Sequence, residues 1–131
     1  MPNFKKHVTV GAVVGGGGNF LWQLSQLYAS AEPPKNLWDA LGQIDYGKVA
    51  IFAAGGAACA ALPDILEPAT SPNHRELFHS ISCAGVVSYG AFGKHSQAWS
   101  VEDRHAIRMA ALSYLSHLWL DGETPKGLPF I

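Results

Sequence analysis

Hydrophobic residues fall into four long blocks along the chain, at about residues 7–28, 46–62, 73–93 and 101–120. Each block is long enough for a helix and too long for an ordinary strand of about five or six residues. The pattern predicts an all-α fold, and the simplest path for four main helices is an up-down bundle. A chain of 131 residues suits one domain, so residues 1–131 are expected to form a single helical unit.

Prolines and capping residues indicate where the helices begin and end. Pro33 and Pro34 separate the first two blocks, and "NLWDAL" after them predicts a short extra helix. The second helix is expected to stop at Pro63. Ser71 and Pro72 resemble an N-cap and a first helical position, which predicts the start of the third helix there. "SVED" predicts a capping box at the start of the fourth.

The blocks are rich in small residues, which indicates close approach between helices. A glycine inside a helix costs roughly 1 kcal/mol relative to alanine, so several of them need a packing reason. "VVGGGGNF" lacks the Gly-Lys-Ser/Thr sequence of a phosphate-binding loop. The glycines for which tight packing is expected are Gly11, Gly15, Gly55, Gly56, Gly85 and Gly90.

Charge is sparse and nearly balanced. Charged residues make up 15% of the chain and the formal net charge is -1, so the basic excess of a nucleic-acid-binding protein is missing. Cys59 and Cys83 lie in apolar runs without CxxC spacing, which favours small buried hydrophobic residues over metal ligands or a disulfide.

Three uncharged runs raise the question of a membrane. Residues 7–31 carry no Asp, Glu, Lys or Arg, but their glycines and the amides of Asn19 and Gln23 make a poor signal peptide or spanning helix. Residues 49–63 and 77–93 are shorter than the roughly 20 residues that a spanning helix needs. Mean hydropathy is only +0.09. A cytoplasmic or membrane-associated protein is expected. A membrane surface and a second copy of the chain are both possible binding partners.

The polar residues of an up-down bundle would converge at one end. The first helix starts there, the second ends there, the third starts there and the fourth ends there. His95 and His105 belong to the opposite end and are expected at the surface. The residues expected at the common end are His7, Asp64, Glu67, His74, Arg75, His79, His117 and Asp121.

This mixture of side chains favours metal binding. One histidine on an apolar face is usually a satisfied core residue, but several imidazoles with several carboxylates form a donor set for Zn²⁺, Mn²⁺ or Fe²⁺. The cation also offsets the cost of bringing carboxylates together in a low-dielectric site. Asp121 ends a helix, where the helix dipole disfavours an acid, so a functional reason for it is expected.

Three segments also resemble a known family. "LPDILEP", "HRELFHS" and "YLSHLWLDGETPKGLP" occur in the order found in the YdjM-like family of small predicted metal-dependent hydrolases. Many members are described as membrane-embedded, and the family is distantly similar to zinc-dependent phospholipase C. The resemblance implies an all-helical fold and a hydrolase, with phosphoesters as the preferred substrate class.

Roles for individual residues follow from the cluster and the resemblance together. Glu67 is expected as a further ligand or as the general base, and His74 as a second-metal ligand or a general acid. Arg75 and Lys126 are candidates for holding a substrate anion, although for Lys126 an ordinary ion pair is the favoured alternative. Ser80, Ser116 and Thr124 are candidates for hydrogen-bonding the ligands. The expected metal ligands are His7, Asp64, His79, His117 and Asp121.

The resulting hypothesis is a metal-dependent hydrolase acting on a small-molecule or lipid-linked phosphoester through a metal-activated water. Zn²⁺ is the foremost metal, with Mn²⁺ or Fe²⁺ as alternatives, in one or two copies. The competing hypothesis is a non-catalytic helical protein, membrane-associated or interaction-forming, with a structural metal or an ion-paired polar cap. A structural metal would have a closed coordination shell.

Overall fold

The computed structural model describes residues 2–68, 77–123, 128 and 130, with side chains from residue 4 onward. These residues form helices and connections without a strand, which confirms the predicted all-α bundle. A 3₁₀ helix, Lys94–Ala98, lies between the last two α-helices. The α-helices are α1 (Pro2–Ala29), α2 (Leu37–Gln43), α3 (Tyr46–Leu66), α4 (Ile81–Phe92) and α5 (Val101–Gly122).

The three longest of the described helices form the core of the bundle. α1, α3 and α5 all pack on one another, whereas α4 packs mainly on α5 and short α2 touches α1. Because the four helices α1, α3, α4 and α5 alternate in direction, the start of α1 and the ends of α3 and α5 lie at the same end of the bundle, where His7 meets Asp121 and Asp64 lies close to His117. The predicted up-down arrangement with a polar cluster at one end is therefore confirmed.

The α1–α3 contact depends on glycine. A Cβ added to Gly11, Gly15 or Gly56 would collide with the backbone of the other helix, so only glycine permits this close approach. The prediction of tight packing is correct at these three positions. It is wrong at three others, where an added Cβ would meet open space: Gly55, Gly85 and Gly90.

Two helix starts follow the capping pattern of the sequence. The Asn36 side chain accepts a hydrogen bond from the Asp39 N–H at 2.9 Å, which caps the predicted short helix α2. The Ser100 hydroxyl accepts from the Asp103 N–H at 3.0 Å, and this cap confirms the predicted start of α5.

The end of α3 differs from the prediction. Pro63 lies inside the helix, which continues to Leu66 although proline lacks an N–H donor and its ring crowds the carbonyl four residues earlier. The Pro63 carbonyl still accepts from the Glu67 N–H at 2.9 Å, and the proline ring is buried. This last turn carries Asp64 one residue beyond the proline.

The start of the third long helix also differs. α4 begins at Ile81, because the Ser80 hydroxyl accepts from the Cys83 N–H at 3.0 Å and caps it there. Residues 77–80 form a turn, so His79 does not lie on the helix. The predicted cap and first position, Ser71 and Pro72, lie outside the described residues.

The prediction that His105 is a surface residue is wrong. His105 is buried, and its ring stacks on Trp22 with centroids 4.2 Å apart. Gln23 Nε2 donates to Asn19 Oδ1 at 2.7 Å, which leaves Asn19 Nδ2 facing His105 Nε2 at 3.0 Å. The backbone N–H of Asp45 donates to Gln23 Oε1 at 2.8 Å. This bond sets the orientation of the Gln23 amide and, through it, that of the Asn19 amide. His95, by contrast, is exposed as predicted.

Large apolar side chains remain exposed along the bundle. α3 is long and apolar enough to cross a membrane, with a mean hydropathy of 1.8, and only 22% of its most apolar window is buried. Core helices of soluble proteins also pass such a test, but they are mostly buried. The exposed apolar residues include Val13 and Leu21 on α1, Ile51 and Ile65 on α3, Val86 and Tyr89 on α4, and Trp119 on α5.

Candidate metal centre

Four separate segments bring imidazoles and carboxylates together at one end of the bundle. The second turn of α1, the last turn of α3, the turn before α4 and the last two turns of α5 each contribute. All five residues that the sequence predicts as metal ligands lie in this cluster: His7, Asp64, His79, His117 and Asp121.

The donor atoms of four of these residues lie close together. His117 Nε2 lies 3.2 Å from both His79 Nε2 and Asp121 Oδ2, and 3.7 Å from Asp64 Oδ1. His79 Nε2 lies 3.3 Å from Asp64 Oδ1 and 3.5 Å from Asp121 Oδ2. Ligand atoms of a tetrahedral Zn²⁺ lie roughly 3.3 Å apart, because each Zn–N or Zn–O bond is about 2.0–2.1 Å long. The observed separations match that spacing.

His7 approaches the same cluster from the other side of Asp121. Its Nε2 lies 3.3 Å from Asp121 Oδ1, and its ring stacks on His117 with centroids 3.9 Å apart. Burial, followed by the proximity of His117, lowers the pKa of His7, which favours the neutral imidazole that a metal needs. Two overlapping donor groups result, His7–His117–Asp121 and Asp64–His79–His117, each with its ligand atoms within 4.8 Å.

Glu67 lies behind His79. Its Oε2 is 3.1 Å from His79 Nδ1, the ring nitrogen opposite the one that faces the cluster. The same carboxylate accepts the backbone N–H groups of Leu77 at 2.8 Å and Phe78 at 2.9 Å. Burial acts to raise the pKa of Glu67, but the hydrogen bonds from His79, Leu77 and Phe78 outweigh it, so the pKa lies below its usual value. Glu67 thus holds both the turn and the His79 ring.

The cluster is buried except along one side. The side chains of His79 and His117 are fully buried, and those of His7 and Asp121 are nearly so. Asp64 keeps 12% of its side-chain surface exposed. Water or a substrate could therefore approach past Asp64.

Tyr114 supports the same turn, and the sequence analysis missed it. Its hydroxyl donates to the Phe78 carbonyl at 2.6 Å, next to His79. Tyr114 precedes His117 by three residues and therefore shares its helix face, a spacing that could have identified it.

The remaining predicted site residues fall into two groups. The described hydrogen bonds of Ser80 and Ser116 go to backbone groups, with Ser80 Oγ donating to the Leu77 carbonyl and Ser116 Oγ to that of Ser113, both at 2.7 Å. Four predicted residues lie outside the described part of the chain: His74, Arg75, Thr124 and Lys126.

Comparison with known proteins adds no relative. No known protein family, no curated protein and no solved structure matches this chain. The buried His/Asp groups could hold a metal ion, and inference about function depends on their geometry.

Proposed function

We propose that the His–Asp cluster binds a divalent metal, Zn²⁺ foremost and Mn²⁺ or Fe²⁺ as alternatives, and that the protein hydrolyses phosphoesters. The observation that carries the proposal is the arrangement of two imidazoles and two carboxylates, in which His79 Nε2 and His117 Nε2 each lie 3.2–3.7 Å from an oxygen of Asp64 and of Asp121. Three imidazoles and two carboxylates are a donor set typical of these metals.

Charge supports a cation in this place. Asp121 is buried and Asp64 is largely so, and a buried carboxylate is costly unless positive charge or hydrogen bonds compensate it. Imidazole offers that charge only when protonated, and burial opposes protonation of His7. A divalent cation would compensate both carboxylates while the histidines stay neutral.

His79 has the outer hydrogen bond that metal-binding histidines usually have. Its Nδ1 meets the Glu67 carboxylate while its Nε2 faces the cluster, which fixes the tautomer with the proton on Nδ1. Glu67 is therefore better suited to positioning a ligand than to accepting a proton from water. His74 remains a candidate second-metal ligand or general acid, and Arg75 and Lys126 remain candidates for contacting a substrate anion.

The chemistry needs a water on the accessible side of the cluster. A bound metal would lower the pKa of that water to about 7 and polarise the phosphoryl group. Asp64 borders the accessible side. His7 with Asp121 Oδ1 offers donors for a second ion, so a site with two metals is compatible with the geometry.

Membrane association forms part of the proposal. Each of the four long helices contains a segment free of Asp, Glu, Lys and Arg, at 7–31, 49–63, 77–93 and 109–120. Large apolar side chains on these segments are exposed, including Ile51 at 71%. These exposed side chains form what we call the apolar band. A lipid surface would cover it, and the resemblance to YdjM-like proteins also supports membrane association. A lipid-linked phosphoester is accordingly the preferred substrate.

The test is metal-dependent turnover. The zinc-loaded protein should hydrolyse a nitrophenyl phosphate mono- or diester, and Asp64→Asn should lower kcat/KM at least 100-fold. His95→Ala, a change of an exposed histidine at the opposite end, should leave turnover unchanged. Chelation should abolish the activity and added metal should restore it. A metal-loaded protein that hydrolyses none of a broad set of phosphoesters would contradict the proposal.

A structural metal is the second candidate function. It is favoured by the closeness of four protein donors, because four is the number of ligands that a closed tetrahedral site needs. The absorption spectrum of the cobalt-substituted protein separates the two. A five-coordinate spectrum that responds to added phosphate indicates an open position, whereas an unresponsive tetrahedral spectrum indicates a structural site.

A further inference from the structure

An apolar groove lies between α3 and α4, with α5 as its floor. Its volume is about 380 Å³. Residues of all three helices line it, among them Cys59, Leu62, Val87, Gly90 and Ala111. Small side chains leave this space because α3 and α4 each pack on α5. The groove lies outside the metal centre, and all its lining residues except Ile107 belong to the segments free of Asp, Glu, Lys and Arg.

One end of the groove lies next to the turn that carries His79. Leu62 and Tyr114 line the groove, and they lie two residues before Asp64 and three before His117. The Tyr114 hydroxyl donates to the Phe78 carbonyl at 2.6 Å, so that polar group already has its partner. From Tyr114 the groove runs down α5 to Ile107, seven residues or roughly 10 Å away.

A second apolar cavity extends the groove along α3. It measures about 270 Å³, is lined by residues such as Ile51, Gly55 and Met109, and shares Cys59 and Ala110 with the groove. Together they form an apolar path that begins next to a polar site. An amphiphile matches this arrangement, with its charged end in the polar site and its hydrocarbon chain along the apolar path.

We propose that the groove holds the hydrocarbon chain of an amphiphilic substrate whose phosphate headgroup reaches the metal centre. The part that concerns the headgroup rests on the proposed function, whereas the chain site rests on the groove alone. Each buried methylene group should raise affinity roughly fourfold, because its burial contributes about 0.8 kcal/mol.

Gly90 provides the test of the chain site. It lines the groove, and an added Cβ there meets no atom within 4 Å, so the Cβ of Gly90→Leu has room and the larger side chain should take up space in the groove. Gly85→Leu is the matched control, because Gly85 is on the same helix with equally open space and does not line the groove. Both changes replace a helical glycine by a good helix former, so folding should be retained.

The experiment measures binding of dodecyl phosphate and butyl phosphate to the zinc-loaded protein at one fixed detergent concentration. Wild type and Gly85→Leu should bind dodecyl phosphate at least 100-fold more tightly, and Gly90→Leu should reduce that ratio to below 10-fold. Equal binding of the two probes by wild type would overturn the proposal, as would an undiminished ratio in Gly90→Leu.

His117→Ala separates this proposal from the proposed function. It should weaken both probes by the same factor and leave the chain-length ratio intact, because it removes a metal ligand and not the groove. If wild type binds no zinc yet keeps the ratio, the metal-dependent function fails and the chain site stands. If His117→Ala abolishes the ratio as well, the groove is not a separate chain site and the proposal is overturned.

Discussion

At the scale of single residues, Glu67 tests whether the carboxylate behind His79 positions a ligand. Glu67→Gln removes its charge but keeps a hydrogen-bond acceptor, so zinc affinity should fall about 10- to 100-fold while the fold is retained. Glu67→Ala should weaken zinc binding further, because the Leu77 and Phe78 N–H groups also lose their acceptor. Zinc affinity measured by competition with a chelator checks both. Unchanged affinity with a turnover loss above 1,000-fold would instead identify Glu67 as the general base.

His105 gives a prediction away from the metal centre. Burial lowers its pKa from the usual 6.5, and the orientation of Asn19 requires a neutral Nε2 that accepts the amide hydrogen. A histidine with a lowered folded pKa binds a proton more weakly than in the unfolded chain. Its contribution to stability is therefore complete above about pH 6.5 and is lost as the pH falls towards the folded value. An NMR titration should place the pKa of His105 below 6.5.

Asn19→Asp serves as the control for this titration. An aspartate retains the acceptor for Gln23 and presents a carboxylate oxygen to His105, so the pKa of His105 should rise above that of the wild type. A wild-type pKa at or above 6.5, or no increase in the variant, would show that the described orientation of the Asn19 amide is incorrect.

At the scale of helices, two glycines of α1 distinguish the effect of helix–helix packing on stability from the effect of helix propensity. Gly11→Ala should lower the free energy of unfolding by about 1–3 kcal/mol, because its Cβ would collide with α3 at Gly56 and Ala60. Gly17→Ala is on the same helix with no atom within 4 Å of the added Cβ, so it should raise stability by up to about 1 kcal/mol. Denaturant unfolding of the two variants measures this contrast, and equal effects would contradict the close α1–α3 contact.

Helices were predictable where a local signal agreed with the packing. Ser100 caps α5 as its spacing to Asp103 predicts, and the four apolar blocks correspond to the four long helices. The predicted end of α3 at Pro63 was wrong, because this buried proline lies in the last turn and the helix continues to Leu66. His79 lies in a turn and not in the predicted helix, because the Glu67 carboxylate, ten or more residues earlier, accepts hydrogen bonds from the N–H groups of this turn. Such a long-range hydrogen bond has no local sequence signal.

The candidate site was predictable from topology more than from spacing. An up-down path places the start of α1 and the end of α5 together, which brought His7 and Asp121 into the same cluster. His105 was misplaced because its partners, Asn19 and Trp22, are more than eighty positions away in sequence. Burial of a single histidine depends on such partners and cannot be read from its neighbours.

At the scale of the whole molecule, the apolar band predicts binding to lipid. Wild type should sediment with phospholipid vesicles, and Ile51→Asp combined with Val86→Asp should reduce the bound fraction at least tenfold, because charge is costly in hydrocarbon. Val101→Asp is the control, since Val101 is also apolar and exposed but lies outside the charge-free segments. A wild type that stays in the supernatant as a stable dimer would show that a second copy covers the band.

The central claim is that the His–Asp cluster holds a metal, and elemental analysis of the purified protein tests it most directly. Wild type and His95→Ala should contain one or two equivalents of zinc, manganese or iron per chain, and His117→Ala should contain less than a tenth of that amount. His117 is the right change because it belongs to both overlapping donor groups. A wild type that remains metal-free after reconstitution, or a His117→Ala variant with undiminished metal, would contradict the account.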